Sequence, residues 1–505
     1  MPTPVPFRTR AVLARASSVL VLTVGLVGAG SWIPTQSRDE AATVSAVTRS
    51  WSQLGAMLQD VDVVHGLYYA AMKVWLDGVG ISTLTLRLPS VLACGLAAAL
   101  VVVLGSLLVS PRAGVLAGLV MAVSPRLTKI ATEGRSAAWF AAAAVVLVLV
   151  VVLAVRRPSW RWFLPTALAT ALLGGLQVYT ILLAPVLVVY LWLAPGDGEP
   201  RWWRAGLRRG RLTVLLGLVV GLVPVAALGL RARLQQSQVD WIEPPTLNAL
   251  SFVATESVSP ANPLWAVLAW ALAAAGLVWL SRRRRQLGST AFLLVGWLGF
   301  PGLALLVASA VWTPLYSPRY LAFSLGGLAL LAGTGLASVR RTWLAAGLAV
   351  AITLTSVVSF RAQRQVDSWD DWARIMAVVA YQATPGDVVI DYPLVSALTV
   401  SYPGGLQGLP VINAGRDRLE RAYLWDERRP LLDVENRLRG VRRVWYLAPS
   451  ANDDDERRRV ADLARLRQLG FDRVLVQRSA GEQTYLLTRT AAEAARGDRL
   501  LRTPG

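Results

Sequence analysis

The chain has 505 residues, 54% of them hydrophobic and 16% charged, and its mean hydropathy is +0.48. These values exclude a disordered chain and an ordinary soluble one. The formal charge of +20 would suggest a nucleic-acid partner in a soluble protein, but in a membrane protein it must first be sorted by side.

Apolar runs near the ~20 residues that span a bilayer recur at Leu13–Gly30, Leu88–Val109, Ala113–Val123, Ala137–Val155, Trp162–Val178, Thr180–Leu193, Leu212–Leu230, Leu264–Leu280, Ala291–Val311, Leu321–Val339 and Leu344–Phe360. The expectation is a polytopic α-helical membrane protein with about eleven transmembrane helices over residues 1–360. Two runs are short, but the Arg clusters before Trp162 and after Leu193 both favour the cytoplasm and so require an even number of crossings between them. Gly174, Gly175 and Gln177 mark the turn. With the N-terminus inside, the cytoplasmic segments carry 18 basic residues and two acids, and the outer segments of 31–360 carry 10 basic residues and nine acids. That bias predicts an inside N-terminus, an outside C-terminus and a plasma-membrane location. Trp160, Trp162, Trp192, Trp202 and Trp203 would form the cytoplasmic aromatic belt. The first segment also fits a cleaved signal peptide, since Arg residues precede an apolar stretch that ends in small residues.

The first outer loop, 31–87, opens with Asp39-Glu40, two adjacent carboxylates that suit the first turn of a helix. Asp62–Gly78 has apolar residues every three or four positions and predicts a helix lying in the outer interface. His65, the only histidine, can hydrogen-bond, ligate a metal or shuttle a proton. With one cysteine, Cys94, neither an internal disulfide nor a Cys/His zinc cluster can form within one chain. Ser124–Ser136 concentrates Arg126, Lys129, Glu133 and Arg135, either a snorkelling rim or a phosphate site. The longest outer loop, Arg231–Pro263, carries Asp240, Trp241 and Glu243 and suits an acceptor-binding lid. Tyr316-Ser317-Pro318-Arg319-Tyr320 puts one Arg at the outer boundary, able to snorkel or to grip a lipid phosphate.

Residues 361–505 hold 23 Arg and 20 acids, the composition of a small soluble domain. Strand-like runs at Asp387–Asp391, Val441–Leu447 and Arg473–Gln477 alternate with helix-like stretches at Asp370–Gln382 and Asp455–Leu469, which predicts an extracytoplasmic α/β domain. Tyr402-Pro403-Gly404-Gly405 reads as a turn.

Arg38-Asp39-Glu40-Ala41, Asp62-Val-Val-His65-Gly66-Leu67-Tyr68-Tyr69, Leu86-Arg87-Leu88-Pro89-Ser90, Glu133-Gly134-Arg135 and Pro318-Arg319-Tyr320, in this order and on one side of the membrane, resemble the GT-C glycosyltransferases. The likeness is to bacterial members of glycosyltransferase family 39, relatives of the protein O-mannosyltransferases and of the lipid A aminoarabinose transferases. It spans the whole layout. Two departures stand out: Gly66-Leu67 occupies the place of two prolines, and no aromatic closely follows Arg135.

The resemblance implies an inverting transfer of a sugar, mannose or another hexose, from a polyprenyl-phosphate lipid to an extracytoplasmic protein, lipid or glycan acceptor. It makes Asp39 the general base and Glu40 its support. A leaving phosphate needs cations, and Arg135, Arg319, Arg87 and Lys129 are the candidates. Glu133 and His65 are supporting positions, and a divalent cation, magnesium or manganese, stays open, as do Asp240, Trp241 and Glu243 as acceptor-loop residues. Two other readings remain from the residues alone: a lipid or sugar transporter or flippase, and a non-catalytic cell-envelope assembly factor on the same fold. Transporters place ionisable groups at the midplane, whereas here the acids collect at the outer rim.

Overall fold

The computed structural model describes residues 9–194, 201–235, 242, 254–366, 372–392, 395–402, 404–406, 408–449, 453–478 and 482–494. The chain divides into two compact units, Met1–Trp32 with Asp62–Ala71 and Leu84–Arg364, and Ile33–Val61 with Met72–Thr83 and Gln365–Gly505.

The helices of the first part of the chain are α1 (Thr9–Gly28), α2 (Arg38–Val47), α3 (Trp51–Asp60), α4 (Gly66–Val79), α5 (Thr83–Leu108), α6 (Pro111–Ala122), α7 (Pro125–Ile130), α8 (Ala137–Arg156), α9 (Phe163–Leu176), α10 (Leu183–Leu193), α11 (Arg201–Arg233), α12 (Pro263–Ser281), α13 (Arg284–Val311), α14 (Leu325–Ser338) and α15 (Thr342–Ala362). Every apolar run expected from the sequence is helical. Among the described residues eight helices are long and apolar enough to cross a membrane, and α6, α9 and α10 are the shorter ones. The turn falls where Gln177 takes an extended conformation and ends α9.

In the first unit α14 is central: 89% of the Pro318–Ser338 stretch is buried, against 22% of Thr342–Ala362. The exposed side of α15 is apolar, with Leu354 and Val358 uncovered, as a lipid-facing surface requires. Without a hydrophobic drive between helices in lipid, close packing must supply the association. Gly276 of α12 and Gly335 of α14 provide it reciprocally. A Cβ on Gly276 would stand 2.0 Å from the Leu331 carbonyl oxygen, and one on Gly335 2.0 Å from that of Leu272. Two buried threonine hydroxyls are satisfied within their own helices: Thr170 donates to the Thr166 carbonyl at 2.8 Å and Thr334 to that of Leu330 at 2.7 Å.

The helix expected from Asp62 begins later. Asp62 has a left-handed backbone (φ 57°), Val63–His65 form a 3-10 turn, and α4 starts at Gly66. The reversal needed at Asp62 delays the helix.

The second unit adds α16 (Trp372–Gln382), α17 (Ser396–Ser401), α18 (Leu431–Val434), α19 (Asp453–Gln468) and four strands, β1 (Val388–Ile390), β2 (Arg443–Pro449), β3 (Asp472–Arg478) and β4 (Glu482–Thr488). The sheet order is β1-β2-β4-β3, with β1 parallel to β2 and the other pairs antiparallel. Strand β4 is the element that the sequence reading lacked; its polar start, Glu482-Gln483-Thr484, hides the alternation. The core packs Ile375, Met376 and Val379 of α16 and Leu466 of α19 on Trp445, Tyr446 and Tyr485, and Ala41 of α2 joins it. The tail is thus built together with Ile33–Val61 and Met72–Thr83. Gly405 N–H donates to the Tyr402 carbonyl at 2.9 Å, closing the expected turn, and the Tyr402 hydroxyl accepts from the Gln36 N–H at 3.0 Å.

Candidate active site

In the first unit the site starts from two sequence motifs that dock on each other. Ser90 of α5 donates to the Glu133 carbonyl at 2.8 Å and to that of Arg135 at 3.3 Å. Gly134 lies flat on Leu86: a Cβ there would stand 2.5 Å from Leu86 Cγ. Glycine is therefore required by close approach, and the backbone of 133–135 is fixed to α5. Arg87 is wholly buried and donates to the Ser31 carbonyl at 2.7 Å, which fastens α5 to the end of α1.

Arg135 leads into a buried chain of polar groups. Its Nη1 donates to the Tyr69 hydroxyl at 2.8 Å, and that hydroxyl donates to Asp62 Oδ2 at 2.5 Å. Burial pushes the Tyr69 phenol well above its ordinary range; Asp62 adds to the rise and Arg135 opposes it. Tyr69 therefore stays a neutral link between a cation and a carboxylate. The His65 ring packs tilted on Tyr69 with centroids 5.8 Å apart. Tyr68 packs edge-on against Trp139 at 5.4 Å.

The second cluster gathers the cations. Arg126 is 4% exposed and donates to the carbonyls of Ser257, at 3.2 Å, and Glu256. Arg126, Lys129 and Arg319 share an electrostatic neighbourhood with Glu133 and Glu256. Burial lowers Arg126 to about 10; Glu133 and Glu256 oppose the fall and Arg319 adds to it. Lys129 is likewise lowered, first by burial, with Glu133 opposing and Arg126 assisting. Among the described residues three cations and two carboxylates share this partly desolvated place, where an anion gains more than it would in water. Tyr316 lines the same neighbourhood with a buried hydroxyl that has no hydrogen-bond partner among the described residues, and burial raises its pKa. Arg319 is exposed, with its guanidinium 5.7 Å from the Tyr320 ring.

Beside these cations runs an apolar groove of about 180 Å3, lined by Ser257, Val258, Trp270, Leu298, Leu321 and Leu325 among others. Ser257 supplies a carbonyl to Arg126, and Leu321 follows Arg319 by two residues. A cluster of cations thus adjoins an apolar groove.

In the second unit Asp39 and Glu40 occupy the first turn of α2. Ser37 is the N-cap: its hydroxyl accepts from Glu40 N–H at 3.2 Å, and the Glu40 carboxylate accepts from Ser37 N–H at 2.9 Å. This reciprocal capping box occupies the fully buried Glu40. Asp39, one residue earlier, is half-buried. The helix is anchored at its far end, where Ser45 donates to the Leu424 carbonyl at 2.7 Å and Arg49 to those of Arg418 and Tyr423. Burial first, and Arg418 second, lower Arg49 to about 10.

Of the residues expected from sequence, Lys129, Glu133 and Arg319 come together in the cation cluster, Arg135 and His65 meet at Tyr69, and Arg87 lies against α1. Asp39 and Glu40 belong to the other unit, and Asp240, Trp241 and Glu243 fall outside the described residues. The sequence reading left Arg126, Tyr69, Asp62 and Tyr316 out of the site. The signal for Arg126 was its place in the same thirteen-residue loop as Lys129 and Glu133. Among the described residues no three His, Cys, Asp or Glu side chains assemble as metal ligands.

The helical membrane unit, the capped helix of the first outer loop and the small C-terminal sheet define a polytopic protein with the GT-C fold. No protein-family model matches the chain, and no curated protein is similar to it by sequence. The fold is carried by solved structures. ArnT from Cupriavidus metallidurans bound to undecaprenyl phosphate superposes with a TM-score of 0.60 at 14% identity, over 97% of this chain and 99% of that one. Its apo state gives 0.59, also at 14% identity and with the same coverage. The apo oligosaccharyltransferase of Archaeoglobus fulgidus gives 0.51 at 10% identity, over 85% of this chain and 69% of that one.

Proposed function

We propose that this protein is a membrane glycosyltransferase that moves a sugar, mannose or another hexose, from a polyprenyl phosphate to an acceptor outside the cytoplasmic membrane, with the N-terminus inside and the C-terminal domain, residues 361–505, outside. The observation that carries the reading is the positive cluster of Arg126, Lys129 and Arg319 beside an apolar groove. A lipid phosphate would place its head on the former and its chain in the latter. The fold adds support, since ArnT was solved with undecaprenyl phosphate bound.

In this mechanism Asp39 takes the proton of the acceptor hydroxyl as its oxygen attacks the anomeric carbon. The bond from that carbon to the phosphate oxygen breaks with inversion, and its electron pair leaves on the lipid phosphate. Lys129 and Arg319 meet the developing charge, and Arg126 supports them. Arg135 and Arg87 hold the 133–135 platform and α5 in place. Glu40 has its part through the capping box, which fixes the turn that presents Asp39.

The test uses the full-length protein in liposomes with a polyprenyl-phosphate hexose and an acceptor. Asp39→Asn should reduce turnover by on the order of 10² to 10⁴, the range of a positioned general base, and leave donor binding intact. Wild-type turnover in both Asp39→Asn and Asp39→Ala would remove Asp39 from the mechanism.

A further inference from the structure

The second unit contains a pocket that the reaction above does not use. It opens where β1 ends: Asp391 and Tyr392 are the two residues after that strand, which runs parallel to β2. The carboxyl end of parallel strands is where open α/β sheets leave a crevice for ligands. The cavity offers about 260 Å3, just under the ~300 Å3 at which the range for drug-sized ligands begins, and so suits one small unit rather than a long chain.

Its floor is charged. Asp391 is fully buried and receives two hydrogen bonds from Arg428, through Nε and through Nη2 at 3.1 Å. Asn413 brackets the same residue, accepting from the Asp391 N–H at 3.2 Å and donating to its carbonyl at 2.5 Å. On the wall, Asp462 accepts from the hydroxyls of Tyr392 and, at 3.2 Å, Tyr446. An ion pair buried this deeply gains little over apolar packing. By itself it could be a clamp that ties the segment carrying Asn413 and Arg428 to β1. Two further features go beyond a clamp: the open volume above the floor, and Arg429 and Arg458 at the rim. Both arginines are exposed, and neither forms an ion pair among the described residues, although Arg458 lies near enough to Asp462 to stabilise its charge. Arg428 is shared between Asp391 and, at 3.6 Å, Asp426, and its Nη1 donates to the Glu427 carbonyl at 3.1 Å; among the lining residues three arginines face two carboxylates, and the two rim arginines carry the open positive charge.

We infer that this pocket binds an anionic saccharide unit, its carboxylate or phosphate held by Arg429 and Arg458 and its hydroxyls by Arg428 and Asp462. A floor that presents guanidinium N–H beside carboxylate oxygen complements sugar hydroxyls, which both donate and accept. Charged partners at the rim select the acidic group. Use of the pocket to hold an acidic acceptor glycan rests on the glycosyltransferase reading; the binding itself does not.

The experiment is calorimetric titration of the full-length protein in detergent micelles with glucuronate, glucose 6-phosphate, glucose and inorganic phosphate. Saturable binding of glucuronate or of glucose 6-phosphate is expected, and the tighter of the two identifies the acidic group. Glucose should bind at least about tenfold more weakly, and Arg429→Gln and Arg458→Gln should each cost about tenfold, as the loss of a charge-assisted bond does, without a change in melting temperature. Absence of binding by both acids in the millimolar range would overturn the inference. So would acid binding that both rim variants leave intact, or inorganic phosphate binding as tightly as glucose 6-phosphate. Loss of sugar transfer in the liposome assay would leave these titrations unchanged, so the two readings fail separately.

Discussion

Arginine is used differently in the two units. In the second unit several arginines are matched with carboxylates in close pairs, Arg428 with Asp391, Arg443 with Asp387 at 2.9 Å and Arg465 with Glu435 at 2.7 Å, while Arg49 and Arg489 donate to backbone carbonyls. In the first unit Arg126 spends its hydrogen bonds on backbone carbonyls, and among the described residues it clusters with Lys129 and Arg319 around Glu133 and Glu256. The matched pairs hold a small sheet domain together, while the proposed role of the cluster is to meet something that arrives. The two patterns should therefore fail in different ways: removal of a matched arginine should unfold, and removal of a clustered cation should only release a ligand.

The largest effect should come from the buried pair. Arg428→Met would strand the Asp391 carboxylate and should destabilise the second unit by about 3–5 kcal/mol, seen as a large drop in the thermal midpoint of its sheet signal. Adding Asp391→Leu should recover most of that loss, because a buried pair exchanged for apolar groups is close to neutral. If the double variant melted as low as the single one, the matched pairs would not be the simple structural units that the comparison makes them.

Next in size is Arg319→Ala. An exposed cation that binds an anion through charge-assisted bonds is worth about 1.5–3 kcal/mol, so affinity for undecaprenyl phosphate in nanodiscs should fall by roughly ten- to a hundredfold. Melting should stay where it was. A stability loss with unchanged lipid affinity would move Arg319 into the structural class.

This division was only half legible in the sequence. The apolar runs gave the helices because period and length are local properties. Asp387, Val441 and Arg473 marked three of the four strands, and β4 escaped because Glu482-Gln483-Thr484 looks like loop until it pairs with Ala448 and Pro449. Which arginines are matched depends on contacts between residues far apart in sequence, such as Arg428 with Asp391, 37 positions away. Glu40 shows the same limit in reverse. Its neighbour Asp39 and the preceding Ser37 suggested a helix start, yet only the coordinates show that the Glu40 carboxylate closes the capping box. Arg126 sat in plain view beside Lys129, but nothing local separates a snorkelling arginine from one buried against the 256–257 backbone.

The smallest effect is also the one that separates the two patterns by sign. Burial holds the Lys129 ammonium below the ordinary lysine value of 10.5. Between that lowered pKa and 10.5 the unfolded chain binds more protons than the folded one, so folding stability rises with pH across the window. Anion binding goes the other way, since the lysine that meets the phosphate loses its charge as pH climbs through the lowered pKa. Lipid affinity should therefore fall by on the order of 1 kcal/mol, about fivefold, the size expected for one partly exposed pair, while the first unit becomes slightly harder to unfold. Lys129→Arg, which stays charged throughout, should flatten both curves. For Asp387 the sign is opposite: burial would raise its carboxyl, but hydrogen bonds from Thr384, Trp445 and Arg443 prevail and lower it. Its contribution to stability is present above the unfolded carboxylate pKa and is lost as pH falls through the folded one. A clustered cation thus couples ligand affinity and stability with opposite slopes on the alkaline side, whereas a matched carboxylate changes stability alone on the acid side. A lipid titration in which affinity and melting fell together with rising pH would show that Lys129 is a matched residue after all.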